Sequence, residues 1–154
     1  MTDSSVDTSI LHCVIDTNIG VKQFINDPLT SKVNQLLGQL SKPSVRIFIP
    51  DLFYIELANV LRKYVRANLY TVSQAHLDLD DLEALPFDVT PTQALMKSAL
   101  DIAIAQNISA YDACYVALSE RVKAPLLTLD KRLVNSLTNN PYDVRLFNDF
   151  EIEI

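Results

Sequence analysis

The sequence predicts an α/β fold in which a short parallel sheet is flanked by helices. Three observations carry this. The strand-like runs, such as Leu11–Asp16 and Leu126–Leu129, are short and continuously apolar rather than alternating, as in strands buried on both faces. Longer stretches with apolar residues at helical spacing separate them, and such crossovers connect parallel strands. At 154 residues the chain suits one domain, which at this size buries roughly 70% of its unfolded surface.

The elements follow in order. Leu11–Asp16 reads as a buried strand ending on a carboxylate. A helix is expected from about Ile19 and stops at Asn26-Asp27-Pro28, because a residue before Pro is pushed out of the helical region. Ser31–Leu40 places Val33, Leu36, Leu37 and Leu40 on one helical face, and Val45–Ile49 is the second strand. Pro50-Asp51 opens a long helix to about Arg66, with Asp51 the expected N-cap. Asn68–Thr71 is a turn, and Val72–Leu85 a helix polar on one side. Phe87–Val89 is a short strand before Pro91. Thr92–Gln106 aligns Leu95, Ala99, Ile102 and Ala103 as an amphipathic helix, which Asn107–Ser109 ends. Tyr111–Val122 is a helix ended before Pro125. Leu126–Leu129 is a strand, Lys131–Leu137 a helix, and Val144–Phe147 the last strand.

Residues 1–10 read as a flexible lead-in and residues 11–154 as a single domain. The opening MTDSSVDTS is acidic and polar, unlike a secretory signal. No apolar run approaches the ~20 residues that cross a bilayer, so no membrane association is expected. Cys13 and Cys114 lie in apolar stretches and read as buried free thiols, which fits a cytoplasmic protein. The formal net charge of −6 argues against a broad basic surface for nucleic acid. It agrees with clustered carboxylates at a metal site, and equally with a basic partner. With only two glycines there is no Gly-rich phosphate loop.

Ligands of such sheets bind beyond the carboxyl ends of the strands. Asp16 closes the first strand there, and Asp130 closes Leu126–Leu129. Each also stands where it would merely cap the following helix. Asp112 follows Ser109 in a Ser-x-x-Asp capping pattern. Glu56 sits mid-helix among apolar neighbours and has no capping role; its plain reading is a solvent-facing position. Taken together, three Asp and one Glu from separate elements would repel one another at close range, and a divalent cation would resolve this. All-oxygen donors suit Mg²⁺ or Mn²⁺. Other features read plainly. His12 and His76 have no Cys or second His nearby, so zinc is not expected. Asp78, Asp80, Asp81 and Glu83 read as a solvated helix face. Lys22, Lys63, Arg66, Lys131 and Arg132 read as surface charge near the acids, and Tyr111 and Tyr115 as core packing.

VIDTNI (Val14–Ile19), PDLFYIELANVLRK (Pro50–Lys63) and SAYDACYVALSERVKAPLLTLDKRL (Ser109–Leu133) resemble the motifs of PIN-domain proteins, most closely the VapC-type toxin ribonucleases. The resemblance runs in order from about Val14 to Val144. It implies a three-layer PIN-like fold and an acidic quartet of Asp16, Glu56, Asp112 and Asp130 as catalytic and metal-binding residues, supported by Asn18, Ser109 and Thr128. It further implies a Mg²⁺- or Mn²⁺-dependent endoribonuclease, a hydrolase acting on RNA as the toxin of a toxin–antitoxin pair. A homodimer and a cognate antitoxin partner come with it. The alternatives are a catalytically silent PIN-fold interaction module, an Asp-based phosphatase and a phospho-acceptor domain. The phosphatase would want an acid two residues after Asp16, where Asn18 stands. The phospho-acceptor would want a Lys on a late strand, where Val144–Phe147 has only Arg145.

Overall fold

The computed structural model describes residues 10–153, so most of the expected lead-in lies outside the described residues. Five parallel strands form one sheet in the order β3-β2-β1-β4-β5. They are β1 (Leu11–Ile15), β2 (Val45–Pro50), β3 (Asp88–Thr90), β4 (Leu126–Thr128) and β5 (Val144–Leu146). The chain moves outward from β1 to β3, then returns to the other side of β1. That reversal opens a crevice beyond the carboxyl ends of β1 and β4.

Helices flank the sheet in a three-layer α/β arrangement: α1 (Thr17–Val21), α2 (Thr30–Gly38), α3 (Leu52–Arg66), α4 (Val72–Glu83), α5 (Thr92–Gln106), α6 (Ala110–Val122) and α7 (Lys131–Leu137). The first helix differs from the expected one. It begins at Thr17, because the Asp16 side chain accepts the Ile19 N–H and starts the turn earlier, and it is complete by Val21. α5 and α6 end on Asn107 and Lys123, both left-handed at φ near +53°, which turn the chain out of each helix.

α6 is the central helix. Ala113 to Ser119 are all buried, and it packs against α5, β1, β2 and β4. The small residues Ala113 and Ala117 suit a helix covered on most sides. On α3, Phe53, Leu57 and Leu61 form the buried stripe. Gly20 lets α1 lie close against it. A Cβ there would stand 2.5 Å from the Phe53 ring and 3.4 Å from Leu57. Phe53 has no exposed surface, so it cannot swing away.

Several side chains depart from expectation. Asp51 occupies the N-cap position of α3 but makes no capping bond. Its carboxylate accepts the Thr92 N–H and hydroxyl instead, at 2.9 and 2.5 Å, joining α3 to the start of α5. Of the four acids read as a solvated face on α4, Asp78 is buried, accepting from the Tyr70 hydroxyl and from Gln74 Nε2. Tyr111 is 63% exposed rather than packed in the core. Cys13 and Cys114 are buried free thiols, and burial pushes them up to about 12 and about 11. Among the described residues no helix is long and apolar enough to cross a membrane.

Candidate active site

Asp16, Glu56 and Asp112 line one cleft of about 180 Å³ together with Thr17, Asn18, Asn59, Lys63 and Tyr115. Each acid arrives on a different element. Asp16 is the residue after β1, and the β1–β4 register sets it beside Thr128. The Thr128 hydroxyl donates to Asp16 Oδ2 at 2.5 Å, while Oδ1 accepts from Ile19. The capping role is therefore real for Asp16, yet its second oxygen is tied to β4.

Asp112 stands in the first turn of α6, where its N–H donates to the Ser109 hydroxyl at 3.1 Å. Ser109 is the cap, so the Asp112 carboxylate is left to face the cleft. Asp130 caps α7: Oδ1 accepts from Arg132 and Leu133 at 2.9 and 3.2 Å, and its own N–H donates to the Thr128 hydroxyl. Asp130 is not among the cleft-lining residues, but its charge reaches both Asp16 and Asp112. Thr128 thus links two of the four acids through one fully buried hydroxyl.

Glu56 is half-buried rather than solvent-facing. Its Oε1 accepts the Tyr115 hydroxyl at 2.7 Å, with Thr17 Oγ1 3.5 Å away. Thr17 and Tyr115 lie 3.0 Å apart, both buried. Tyr115 is thus a core residue, as expected, but its hydroxyl serves the cleft. It follows Asp112 by three, so both fall on one face of α6. That spacing was the available signal for Tyr115. Likewise Asn59 and Lys63 lie on α3 three and seven residues beyond Glu56, which places them over the same cleft.

The electrostatics mark the cluster. Burial is the main cause that raises the Asp16 carboxyl to about 6; the bonds from Thr128 and Ile19 lower it, and the charges of Asp112 and Asp130 raise it. Asp112 is raised as well, first by burial; the Ser109 hydroxyl lowers it, and the charge of Asp130 adds to the rise. Burial holds the Tyr115 phenol far above its ordinary range, so it stays a donor to Glu56.

The donor set suits a hard divalent cation, since among the described residues no thiol or imidazole lines the cleft. His12 packs edge-on against Phe48, and His76 lines a groove between α3 and α4. Among the described residues, no three acids are preassembled into a cage. Mg²⁺ holds several waters and needs few direct protein ligands, so a preassembled three-acid cage is not required. Glu56 Oε2 and Asp130 Oδ2 accept no hydrogen bond among the described residues, so both are available to a cation.

The expected basic neighbours divide. Lys63 lines the cleft, and Lys131 and Arg132 are exposed at the start of α7. Lys22 is paired with Asp27 at 2.7 Å, and Arg66 lines the α3–α4 groove instead. A cavity of about 730 Å³ also opens at the amino ends of β1 and β5, beside Leu11, His12 and Arg145. It lies at the opposite end of the sheet from the carboxylates.

Comparison with known proteins gives the same frame. The PIN domain family model matches residues 13–135. Over 85 residues the chain is 35% identical to Ribonuclease VapC3 of Pyrobaculum aerophilum, covering 54% of this chain and 65% of that relative, just under two thirds of its length. Over 120 residues it is 28% identical to Ribonuclease VapC9 of Mycobacterium tuberculosis, covering 78% of this chain and 87% of that one. Among solved structures, a toxin–antitoxin complex from Klebsiella pneumoniae superposes with a TM-score of 0.60 at 18% identity, covering 91% of this chain and 99% of that one. At that identity the likeness is one of fold.

Proposed function

The chain belongs to the PIN domain family, and on that premise we propose that it is a Mg²⁺- or Mn²⁺-dependent endoribonuclease, the toxin of a toxin–antitoxin pair. One observation carries the reading: acids from three separate elements meet in a single cleft beyond β1 and β4, with Asp130 near enough to raise two of them. A structural role for each acid leaves that convergence unexplained. The relatives named as ribonucleases support the choice of substrate.

Asp16, Glu56, Asp112 and Asp130 would hold the cation. When bound, it supplies a polarised phosphoryl oxygen and a water of lowered pKa. The chain's own groups do the rest. Thr128 fixes Asp16 against β4, and Ser109 starts α6 so that Asp112 points into the cleft. Lys63 is a cation on the wall of an acidic cleft, placed to meet an RNA phosphate, and Asn18 and Asn59 offer amides to phosphate or sugar. With a net charge of −6, RNA contact is confined to Lys63, Lys131 and Arg132 rather than spread over a basic face.

An antitoxin would block this site by placing a basic side chain, an Arg, among the carboxylates. A homodimer has a surface to use: Met96, Leu100 and Ile104 recur every four residues on α5, and all are more than half exposed. The buried free thiols support a reducing, cytoplasmic setting.

The test is incubation of the full chain with total RNA in Mg²⁺, Mn²⁺ or EDTA. Internal cleavage in either metal, abolished by EDTA and by Asp112→Asn, is the expected result. Cleavage unaffected by EDTA would overturn the reading. Expression of wild type but not of Asp112→Asn should slow growth if the nuclease is a toxin.

A further inference from the structure

We propose that Tyr115, backed by Thr17, is a positioning residue that orders Glu56 so that its second carboxylate oxygen is presented to the cation. The proposal rests on the metal-site reading above and deepens it. Glu56 is mid-helix on α3 and joins the other acids only through its side chain, which has three rotatable bonds. Asp16 and Asp130 are each held by backbone N–H groups of the helix they cap. Glu56 has no such anchor. Its only hydrogen-bond partners among the described residues are two hydroxyls.

The direction of those bonds matters. The Tyr115 O–H donates to Glu56 Oε1 at 2.7 Å, and Thr17 Oγ1 lies 3.0 Å behind it. Thr17 is closer to the phenol than to Glu56, at 3.0 against 3.5 Å. With the Tyr115 proton given to Glu56, the phenol oxygen can only accept, so the Thr17 hydroxyl is shared between it and Glu56 Oε1, giving a chain Thr17 → Tyr115 → Glu56 in which each bond polarises the next. Oε1 is engaged by that chain, and Oε2 accepts nothing among the described residues.

The chain also ties three acid-bearing elements together. Thr17 adjoins Asp16, Tyr115 shares a face of α6 with Asp112, and both act on Glu56 of α3. A buried tyrosine needs some acceptor, but a backbone carbonyl would serve packing equally well. Asp112 also accepts no backbone N–H, but it stands on a short side chain beside its cap Ser109; pairing the phenol with Glu56, the mid-helix acid on the longest side chain of the four, is what a positioning role requires. Groups that orient metal ligands in this way shape affinity without touching the metal.

The experiment is calorimetric titration of the full chain with Mn²⁺, without RNA, alongside the melting temperature of each metal-free protein. Tyr115→Phe keeps the ring in the core and removes only the hydroxyl. It should raise the Mn²⁺ Kd about tenfold. Thr17→Val should weaken binding in the same direction but less, and Thr17→Ser, which keeps the hydroxyl, should bind as wild type. A Tyr115→Phe protein that melts lower yet binds Mn²⁺ as wild type does would mark a purely structural hydroxyl and overturn the proposal. If Tyr115→Phe does not fold, Thr17→Val decides by the same criterion. Glu56→Gln separates the two levels. A wild type that binds no Mn²⁺, or a Glu56→Gln that binds it equally well, overturns the metal site and the proposal with it. Weakened binding by Glu56→Gln with unchanged binding by Tyr115→Phe overturns the positioning role alone.

Discussion

Asp16, Glu56, Asp112 and Asp130 come from elements far apart in sequence, while Asp78, Asp80, Asp81 and Glu83 share the single helix α4. Three of the scattered acids line one cleft, and the fourth acts on it through its charge. The adjacent acids diverge: Asp80, Asp81 and Glu83 are exposed, and Asp78 turns inward to Tyr70 and Gln74. Burial raises the carboxyl pKa of both Asp16 and Asp78. For Asp16 the further push comes from acids on other elements, for Asp78 from Asp81 on its own helix. Proximity along a helix fans charges out around the axis, whereas convergence of strand ends gathers them.

Activity separates the two groups most sharply. Asp112→Asn removes a carboxylate while Ser109 keeps the cap, so the fold should stand. Loss of part of a metal site forfeits several kcal/mol of transition-state stabilisation, so RNA cleavage should fall by about a thousandfold. Asp80→Asn should cleave as wild type does. Equal activity of the two variants would break the contrast.

Next comes the pH dependence of stability without metal. Asp16 has its folded pKa raised from 3.8 to about 6, so the folded state holds that proton more tightly than the unfolded one. Its contribution is favourable at low pH and is lost as pH rises through that window, by on the order of 2–3 kcal/mol. Asp16→Asn should therefore gain stability relative to wild type between pH 4 and pH 7 in EDTA. Saturating Mn²⁺ should erase that difference, since a cation replaces the proton. Asp78 carries the same sign, but its contribution should not respond to Mn²⁺. Melts of both Asn variants, with EDTA and with Mn²⁺ across pH, check this.

A smaller effect tests how the scattered acids are brought together. Gly20→Ala forces a methyl against the buried Phe53 ring, and overpacking of this kind costs about 1–3 kcal/mol. The shift of α1 against α3 should also weaken Mn²⁺ binding, because Asp16 and Glu56 lie on either side of that contact. Chemical denaturation and Mn²⁺ titration measure the two together. A destabilised variant with unchanged Mn²⁺ affinity would show that the α1–α3 spacing does not set the site.

The smallest effects fall on α4. Asp78→Asn leaves one of two donors without an acceptor and should cost about 1 kcal/mol. Asp80→Asn, on the exposed face, should stay within about 0.5 kcal/mol of wild type. Neither should alter the response to Mn²⁺. Denaturant midpoints for the pair measure the difference between an inward and an outward acid on one helix.

Local grammar is legible along the chain. Thr92–Gln106 and Lys131–Leu137 are legible as helices because apolar spacing, Pro91, Asn107 and the Asp130 cap all act within a few residues. The acids at the ends of β1 and β4 are legible for the same reason, since each follows its strand directly. The four-acid set itself came from the order and spacing of motifs that resemble a known family, not from any single residue. The partners that polar side chains take from other elements are set in three dimensions. Asp51 has the sequence of a helix cap but gives its carboxylate to Thr92. Asp78 sits in an acidic run but is buried. Tyr111 and Tyr115 flank the same aspartate, yet one is exposed and the other holds Glu56. Hydrogen bonds reach only about 3 Å, so a side chain's partner is set by which elements the sheet order and helix packing bring within that distance. For partners far apart in sequence, no local pattern contains that information.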